Sequence, residues 1–201
     1  MPHLRSGQRV FCKGVIPMHY TIEVAGLKRD LPLCPLNEQW MIAAFVILGD
    51  PELTMACARD LLKVAPSYDY LLGPESKSFP LLHEMARQNG DKRYMVARKE
   101  KKLYMGDTIQ IEDRSITTQH VQTLYLEKKD ALLMQSKRVL LLDDVISTGG
   151  SMSALEHLAE KAGAHIVGKM AILAEGDAAS RKDILYLQAL PLFDSKGNPL
   201  S

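Results

Sequence analysis

An apolar run that ends in two adjacent acids constrains the fold of this chain more than any other feature. Residues 138–151 read RVLLLDDVISTGGS, so leucine and valine side chains are followed by Asp143 and Asp144 and then by a Ser/Thr/Gly segment. A continuous apolar run of this length is typical of a strand that is buried on both faces of a parallel sheet. We therefore expect the two acids to lie where the strand leaves the sheet, at its rim.

Strand-like and helix-like patterns alternate along the chain. The strands are predicted in HYTIEV, YDYLL, RYMVA, VQTLYLE, RVLLLDD, HIVGKMAILAE and DILYLQALPLF. The helices are predicted in EQWMIAAFVIL with Asn37 as its cap, from Asp50-Pro51 to about Val64, in SFPLLHEMARQNG, and in SMSALEHLAEKAGA. Trp40 is expected in the hydrophobic core of the protein. This alternation predicts an α/β fold with a mainly parallel sheet flanked by helices.

The two ends of the chain do not follow the strand–helix alternation. We expect one domain over residues 1–201, with a core at 37–175 and a small hood formed by residues 1–36 and 176–201. Residues 98–120 are polar and aperiodic, which predicts a long loop. In open α/β sheets, ligands bind beyond the carboxyl ends of the strands. The acids at the rim are therefore candidate ligand contacts.

Composition argues against several classes of partner. The 25 Lys and Arg residues balance 24 Asp and Glu residues, which does not favour a nucleic-acid partner. No stretch approaches the roughly 18 apolar residues that span a bilayer, and the start MPHLRSGQRV lacks the apolar core of a signal peptide. The three cysteines match no metal-ligand spacing and predict reduced thiols. We expect a cytoplasmic protein without a membrane partner.

The segment after the two acids has the chemistry of an anion site. Gly149 and Gly150 allow a sharp turn that brings successive backbone N–H groups together, while Ser147, Thr148 and Ser151 add hydroxyl donors. A helix is predicted to begin at the same place, and helix N-termini attract anions. A phosphate monoester is the natural occupant of such a loop.

The two carboxylates need a different partner, because they would repel that phosphate. Adjacent sugar hydroxyls can each donate to a carboxylate, so Asp143 and Asp144 together with the loop predict a phosphorylated ribose. The chain contains neither the GxxxxGK[ST] loop of nucleotide triphosphatases nor the GxGxxG dinucleotide fingerprint.

The string VLLLDDVISTGGSM closely resembles the phosphoribosyl-pyrophosphate (PRPP) binding motif of the type I phosphoribosyltransferases, and the rest of the chain resembles their purine branch, near the adenine and xanthine enzymes. The resemblance implies the type I fold and implies that Asp143 and Asp144 hold the ribose hydroxyls, directly or through Mg²⁺. It also implies a 5′-phosphate site formed by Val145, Ile146, Ser147, Thr148, Gly149, Gly150 and Ser151.

Two further segments resemble parts of the same family. GPESKS, residues 73–78, is similar to the pyrophosphate loop, which implies substrate contacts at Glu75, Ser76 and Lys77. ARKEKKLYMGD resembles the start of the flexible catalytic loop and implies catalytic roles for Arg98 and Lys99. Further substrate contacts in this segment are implied at Lys102 and Tyr104.

The resemblance implies a purine phosphoribosyltransferase, a pentosyltransferase of purine salvage that uses Mg²⁺, PRPP and a purine base, and that acts as a homodimer. Adenine is slightly favoured, because Glu175 stands near the place of the lysine that is common in 6-oxopurine enzymes. A PRPP-sensing regulator without catalysis and an enzyme for a pyrimidine acceptor are the alternatives. The role of Glu127, as an acid that assists the base, stays open. So do the roles of Arg29 and Asp30, near the base or a partner subunit.

Overall fold

The computed structural model describes residues 18–114 and 121–200, which form eleven strands and four α-helices. The strands are β1 His19–Val24, β2 Leu27–Pro35, β3 Trp40–Ala43, β4 Tyr70–Pro74, β5 Met95–Ala97, β6 Thr108–Arg114, β7 Val121–Glu127, β8 Arg138–Ile146, β9 His165–Glu175, β10 Leu185–Leu190 and β11 Phe193–Asp194. The helices are α1 Pro51–Val64, α2 Phe79–Asn89, α3 Lys128–Met134 and α4 Gly150–Lys161, and a 3₁₀ helix spans Gly176–Ser180.

Five parallel strands form the main sheet in the order β10-β9-β8-β4-β5. The chain runs from β4 outward to β5 and later returns to β8 on the other side of β4, so the strand order reverses between β4 and β8. Such a switch point leaves a crevice at the carboxyl ends of the two strands, where ligands bind in open α/β sheets. The fold thus places the loops after β4 and β8 side by side.

The apolar run of β8 is explained by burial on both faces of this sheet. Leu140 and Leu142 pack on one face, in a cluster with residues of α1 and α2. Val139 and Leu141 pack on the other face, in a cluster with residues of α3, α4 and β7. All four side chains are fully buried. The predicted two-sided burial of β8, and the helix–sheet–helix layering that follows from it, are confirmed.

A four-stranded antiparallel sheet in the order β1-β2-β3-β11 forms the hood. The predicted boundaries of the hood therefore need correction at both ends. β3 was expected in the core but belongs to the hood sheet, while β10 was expected in the hood and pairs in parallel with β9. The boundaries moved because β3 is extended where a helix was predicted, and because β10 continues the parallel sheet after the 3₁₀ helix.

The prediction of a helix in EQWMIAAFVIL is wrong. Exposure alternates along the segment, with Met41 and Ile47 buried and Trp40 43% exposed, as an extended chain requires. Asn37 caps no helix, because its Oδ1 accepts the backbone N–H groups of Gln39 and Trp40 at 2.9 Å in a turn before β3. Both faces of this strand carry apolar side chains, so the segment has the uniform hydrophobicity of a buried helix.

The long loop predicted at residues 98–120 is shorter than expected. β6 begins at Thr108 and pairs in antiparallel register with β7 along its whole length, from Thr108–Glu127 to Arg114–Val121. The predicted loop is therefore reduced to the stretch before Thr108, and residues 115–120 lie outside the described ranges. The charged residues of β6 hid its alternating pattern.

The predicted helices after Asp50-Pro51 and in SFPLLHEMARQNG are confirmed. α1 and α2 begin and end close to the predicted residues. Cys34 and Cys57 are free thiols, and Cys12 lies outside the described residues. Between residues 18 and 114 and between 121 and 200, none of the helices has the length and hydrophobicity that crossing a membrane requires.

An ion-pair cluster fastens the hood to the first helix of the core. Arg29 of β2 donates from Nε to Asp50 at 2.6 Å and from Nη2 to Glu52 at 2.7 Å. Asp50 is also the N-cap of α1 and accepts the backbone N–H of Leu53 at 3.0 Å. The hydrogen bonds from Arg29 lower the pKa of Asp50. Arg29 is thus engaged within its own chain rather than directed at a base.

Replacing Asp50 with Ala should lower the free energy of unfolding by about 1–2 kcal/mol, since it removes a helix cap together with a partner of Arg29. Urea unfolding measures the effect. Glu52→Ala is the matched control, because it removes an acid from the same cluster but leaves the cap, and its loss should be smaller. Equal losses for the two variants would contradict the assigned role of the cap.

Candidate active site

A cleft of about 370 Å³ lies at the switch point between β4 and β8. Loops from three separate parts of the chain line it, together with a wall from the hood. The cleft brings together nine of the site residues predicted from the sequence, namely Glu75, Ser76, Lys77, Lys99, Asp143, Asp144, Val145, Ser147 and Ser151.

The two acids are buried at the base of this cleft. Asp143 is 6% exposed and Asp144 is 5% exposed, and the backbone N–H of Asp144 donates to Oδ1 of Asp143 at 2.9 Å. Within the described part of the chain, Oδ2 of Asp144 is buried without a hydrogen-bond partner. Burial raises the pKa of Asp143 well above its usual range, and the charge of Asp144 raises it further. Such a pair would be stabilised by hydroxyl donors or by a cation.

The loop after the acids forms a second, smaller pocket of about 120 Å³. Gly149 adopts a left-handed conformation with φ of 85°, which favours glycine, and α4 starts at the next residue. The first N–H groups of a helix have no partner inside the helix and can bind an anion. The residues that line this pocket include Val145, Ile146, Ser147, Thr148, Gly149, Gly150 and Ser151.

Close packing brings the loop after β4 against β8. A Cβ atom at Gly73 of β4 would lie 2.7 Å from the carbonyl oxygen of Leu142, so only glycine allows β4 and β8 to pack this closely. Ser78 is buried, and its hydroxyl donates to the carbonyl oxygen of Pro74, which closes the loop before α2 begins. The residues between them, including Lys77, line the same cleft as the two acids.

Glu75 connects this loop to the third one. Its Oε2 accepts the backbone N–H of Lys99 at 3.1 Å and lies 3.5 Å from Nε of Arg98. Lys99 lines the cleft, and its charge acts on Asp143 in the direction that favours the ionised carboxylate. Lys77 and Lys99 thus supply positive charge from two different loops to the same cleft.

Three predicted site residues, Arg98, Lys102 and Tyr104, line neither the cleft nor the anion pocket. Arg98 and Tyr104 line a separate pocket of about 100 Å³, where Nη2 of Arg98 donates to the hydroxyl of Tyr104 at 2.8 Å. Lys102 pairs with Glu100 at 2.7 Å. Glu127 lines the same small pocket as Arg98. The roles implied for these side chains in catalysis stay predictions.

The hood contributes an apolar wall that the sequence did not reveal. The cleft is also lined by residues 42–46, by Leu190 of β10 in the main sheet and by Glu175 at the end of β9. Residues 42–46 were missed because they were assigned to a helix. Their buried and more exposed positions alternate in the structure, but all five residues are apolar, so the sequence shows no alternating pattern.

Comparison with known proteins identifies the family. Residues 53–195 match the phosphoribosyl transferase domain. The chain belongs to this family. The match covers α1 and the main sheet with both of its helical layers, and it includes the loops after β4 and β8 that line the cleft.

Relatives of the phosphoribosyl transferase family extend the match over most of the chain. The adenine phosphoribosyltransferase of Nostoc punctiforme is 31% identical over 179 residues, covering 85% of this chain and 96% of the relative. The solved adenine phosphoribosyltransferase structures from Rhodothermus marinus (23% identity, TM-score 0.60, 86% and 94% of the two chains) and Saccharomyces cerevisiae (19%, 0.59, 85% and 93%) share its fold. The predicted type I fold and purine branch are confirmed.

Proposed function

We propose that the chain transfers the 5-phosphoribosyl group of PRPP to a purine base and releases pyrophosphate. The observation that carries this proposal is the meeting of two buried carboxylates and two lysines in one cleft, next to a glycine-rich anion pocket that shares lining residues with it. This is the set of groups that a sugar with a phosphate at one end and a pyrophosphate at the other requires. The relative from Nostoc punctiforme, an adenine phosphoribosyltransferase, supports the same activity.

Each group has a defined task in this reaction. Asp143 and Asp144 accept hydrogen bonds from the ribose hydroxyls, and the loop at residues 147–151 holds the 5′-phosphate. Cleavage of the anomeric bond gives an oxocarbenium-like sugar and leaves negative charge on the pyrophosphate. Lys77 and Lys99 stabilise that charge as it develops, and therefore contribute more to the transition state than to the ground state.

A Mg²⁺ ion that arrives with PRPP fits the same cleft. Magnesium prefers oxygen ligands and is commonly held by one or two carboxylates together with substrate phosphates. Oδ2 of Asp144, buried and without a partner in the described ranges, is such an oxygen, and Asp143 lies beside it. When bound, the ion would neutralise charge on the leaving group. The two aspartates would hold it and would keep the ribose oriented.

Adenine is the base that we favour. The apolar wall from the hood, with Ile42 and Phe45, faces the cleft and suits a flat aromatic ring. Glu175 stands at the cleft edge as a hydrogen-bond acceptor, which favours a base that carries an exocyclic amino group over one that carries only an oxygen there. The base named for the relatives is also adenine.

Pyrophosphate release tests the proposed reaction. The protein is incubated with PRPP, Mg²⁺ and each of adenine, hypoxanthine, guanine, xanthine and orotate, with a base-free sample as the control for hydrolysis. Release should be fastest with adenine and should depend on the base. Tight binding of PRPP without release in any sample would overturn the enzyme and favour the regulator. Release with orotate alone would favour a pyrimidine acceptor. Homodimer formation and a cytoplasmic location stay predictions from the resemblance and the sequence.

A further inference from the structure

An arginine from outside the three loops lies beside Gly149, one of the residues that line the anion pocket. Arg181 follows the 3₁₀ helix at Gly176–Ser180, about 30 residues after the loop in the chain. A Cβ atom at Gly149 would lie 2.6 Å from Nη1 of Arg181 and 3.9 Å from its Cζ. The guanidinium therefore lies on the side of Gly149 where any other residue would carry its side chain.

A network of ion pairs holds the guanidinium in this place. Nε and Nη2 of Arg181 donate to the two carboxylate oxygens of Asp183 at 3.0 and 2.8 Å. Asp183 also accepts from Nζ of Lys169 at 2.7 Å, and Lys169 pairs with Glu156 of α4. The network thus spans β9, α4 and the segment before β10. Because Asp183 binds two nitrogens of the fork, the orientation of the third is defined.

The third nitrogen is available for a ligand. In the ranges 18–114 and 121–200, Nη1 of Arg181 donates to no protein acceptor, although the other two nitrogens are both engaged. The side chain is 33% exposed, so the guanidinium is not fully enclosed by protein. Arginine stays protonated at every pH at which the protein is folded. Nη1 is therefore a permanent positive donor next to Gly149.

The anion pocket lacks a cation of its own. Residues 145–152 contain neither lysine nor arginine, and two carboxylates lie just before them. A phosphate monoester carries a charge between −1 and −2 near neutral pH, and backbone amides supply only partial charges. Two nearby carboxylates oppose its binding. A fixed guanidinium at the pocket would offset that repulsion.

We propose that Arg181 is a substrate-binding residue whose Nη1 donates to the 5′-phosphate held by residues 147–151, with Asp183 as its positioning residue. This inference rests on the proposed function, since it assumes that a phosphorylated sugar occupies the cleft. It assigns a specific binding role to the segment after the 3₁₀ helix, which contributes no residue to either the predicted 5′-phosphate loop or the pyrophosphate loop.

Calorimetric titration with ribose 5-phosphate tests the assignment, because this probe carries the 5′-phosphate without the pyrophosphate. Arg181→Gln should weaken binding about tenfold or more, as expected for a lost hydrogen bond between charged groups. Arg181→Lys should recover only part of the affinity, since lysine cannot bind both oxygens of Asp183 and the phosphate. Lys182→Gln is the matched control, because it removes the same charge from the exposed neighbouring residue and should bind like the wild type.

Steady-state kinetics separates binding from a structural effect. Arg181→Gln should raise KM for PRPP far more than it changes kcat, while its melting temperature without ligand stays close to that of Lys182→Gln. Wild-type affinity for ribose 5-phosphate in Arg181→Gln would overturn the role of Arg181 and leave the proposed function standing. A folded wild-type protein that binds neither ribose 5-phosphate nor PRPP would overturn both.

Discussion

Replacing Asp144 with Asn should lower kcat/KM for PRPP by roughly 10- to 100-fold, the range expected for a hydrogen bond to a charged group. The carboxylate is 5% exposed, and its Oδ2 has no partner in the described part of the chain. A ribose hydroxyl or a Mg²⁺ ion that binds this oxygen therefore does not compete with a hydrogen-bond donor from the described residues. Asparagine keeps the shape of the side chain but offers a neutral amide, so the loss reports the charge.

The fold should survive this change, because Asp144 lies at the carboxyl end of β8, where the strand leaves the core. Far-UV circular dichroism and the melting temperature check the fold, and pyrophosphate release measures kcat/KM. Glu160→Gln provides the matched control, since it makes the same chemical change at an exposed position near the other end of α4. An unchanged kcat/KM in Asp144→Asn would refute the role of this carboxylate.

Local patterns were sufficient to predict the parts of the fold whose signals lie close together in the sequence. β8 is apolar because both of its neighbouring layers are helical, and α1 begins at an aspartate–proline pair that needs no tertiary contact to act as a start signal. The acids and the glycine loop were predicted for the same reason. The residues that supply their chemistry are consecutive in the sequence.

The hood strand β3 could not be predicted in this way. Its two faces pack against different apolar surfaces, one in the hydrophobic core and the other along the cleft, so Met41 and Ile42 are both hydrophobic and the two-residue period disappears. α3 was missed because seven residues are too few for a helical period to be recognised. In both cases tertiary packing, rather than local preference, determined the structure.

The direction in which side chains point was the other feature that the sequence could not predict. Arg98 and Lys99 are neighbours in a run of charges, yet Lys99 lines the cleft while Arg98 turns toward Tyr104. Neighbouring residues of an extended segment point to opposite sides, and the sequence does not say which side is the cleft. Arg181 lies beside Gly149 only because of the sheet order, which places the end of β9 beside β8.

Replacing Asp143 with Asn should stabilise the ligand-free protein at neutral pH while lowering its activity. Burial and the neighbouring Asp144 raise the pKa of Asp143. The Asp143 carboxylate therefore binds a proton more tightly in the folded state than in the unfolded state. Between the unfolded pKa of about 3.9 and the higher folded pKa, the wild type therefore loses stability as the pH rises. Asparagine does not titrate, and its Oδ1 can still accept the N–H of Asp144.

Thermal unfolding of the two proteins from pH 4 to pH 8 measures this effect. The melting temperatures should diverge as the pH rises, and Asp143→Asn should melt at a higher temperature than the wild type at pH 7. In a chain of this size, each 1 kcal/mol of difference in the free energy of unfolding corresponds to roughly 2–4 °C. Salt-bridged acids such as Asp60 and Glu84, whose pKa values are lowered to about 2, change stability in the opposite direction at lower pH. They are common to both proteins and cancel in the difference. A constant difference between the two melting temperatures from pH 4 to pH 8 would show that the pKa of Asp143 does not change on folding. A difference that increases with pH, together with reduced pyrophosphate release, would show that the site keeps a destabilising charge because its substrate requires it.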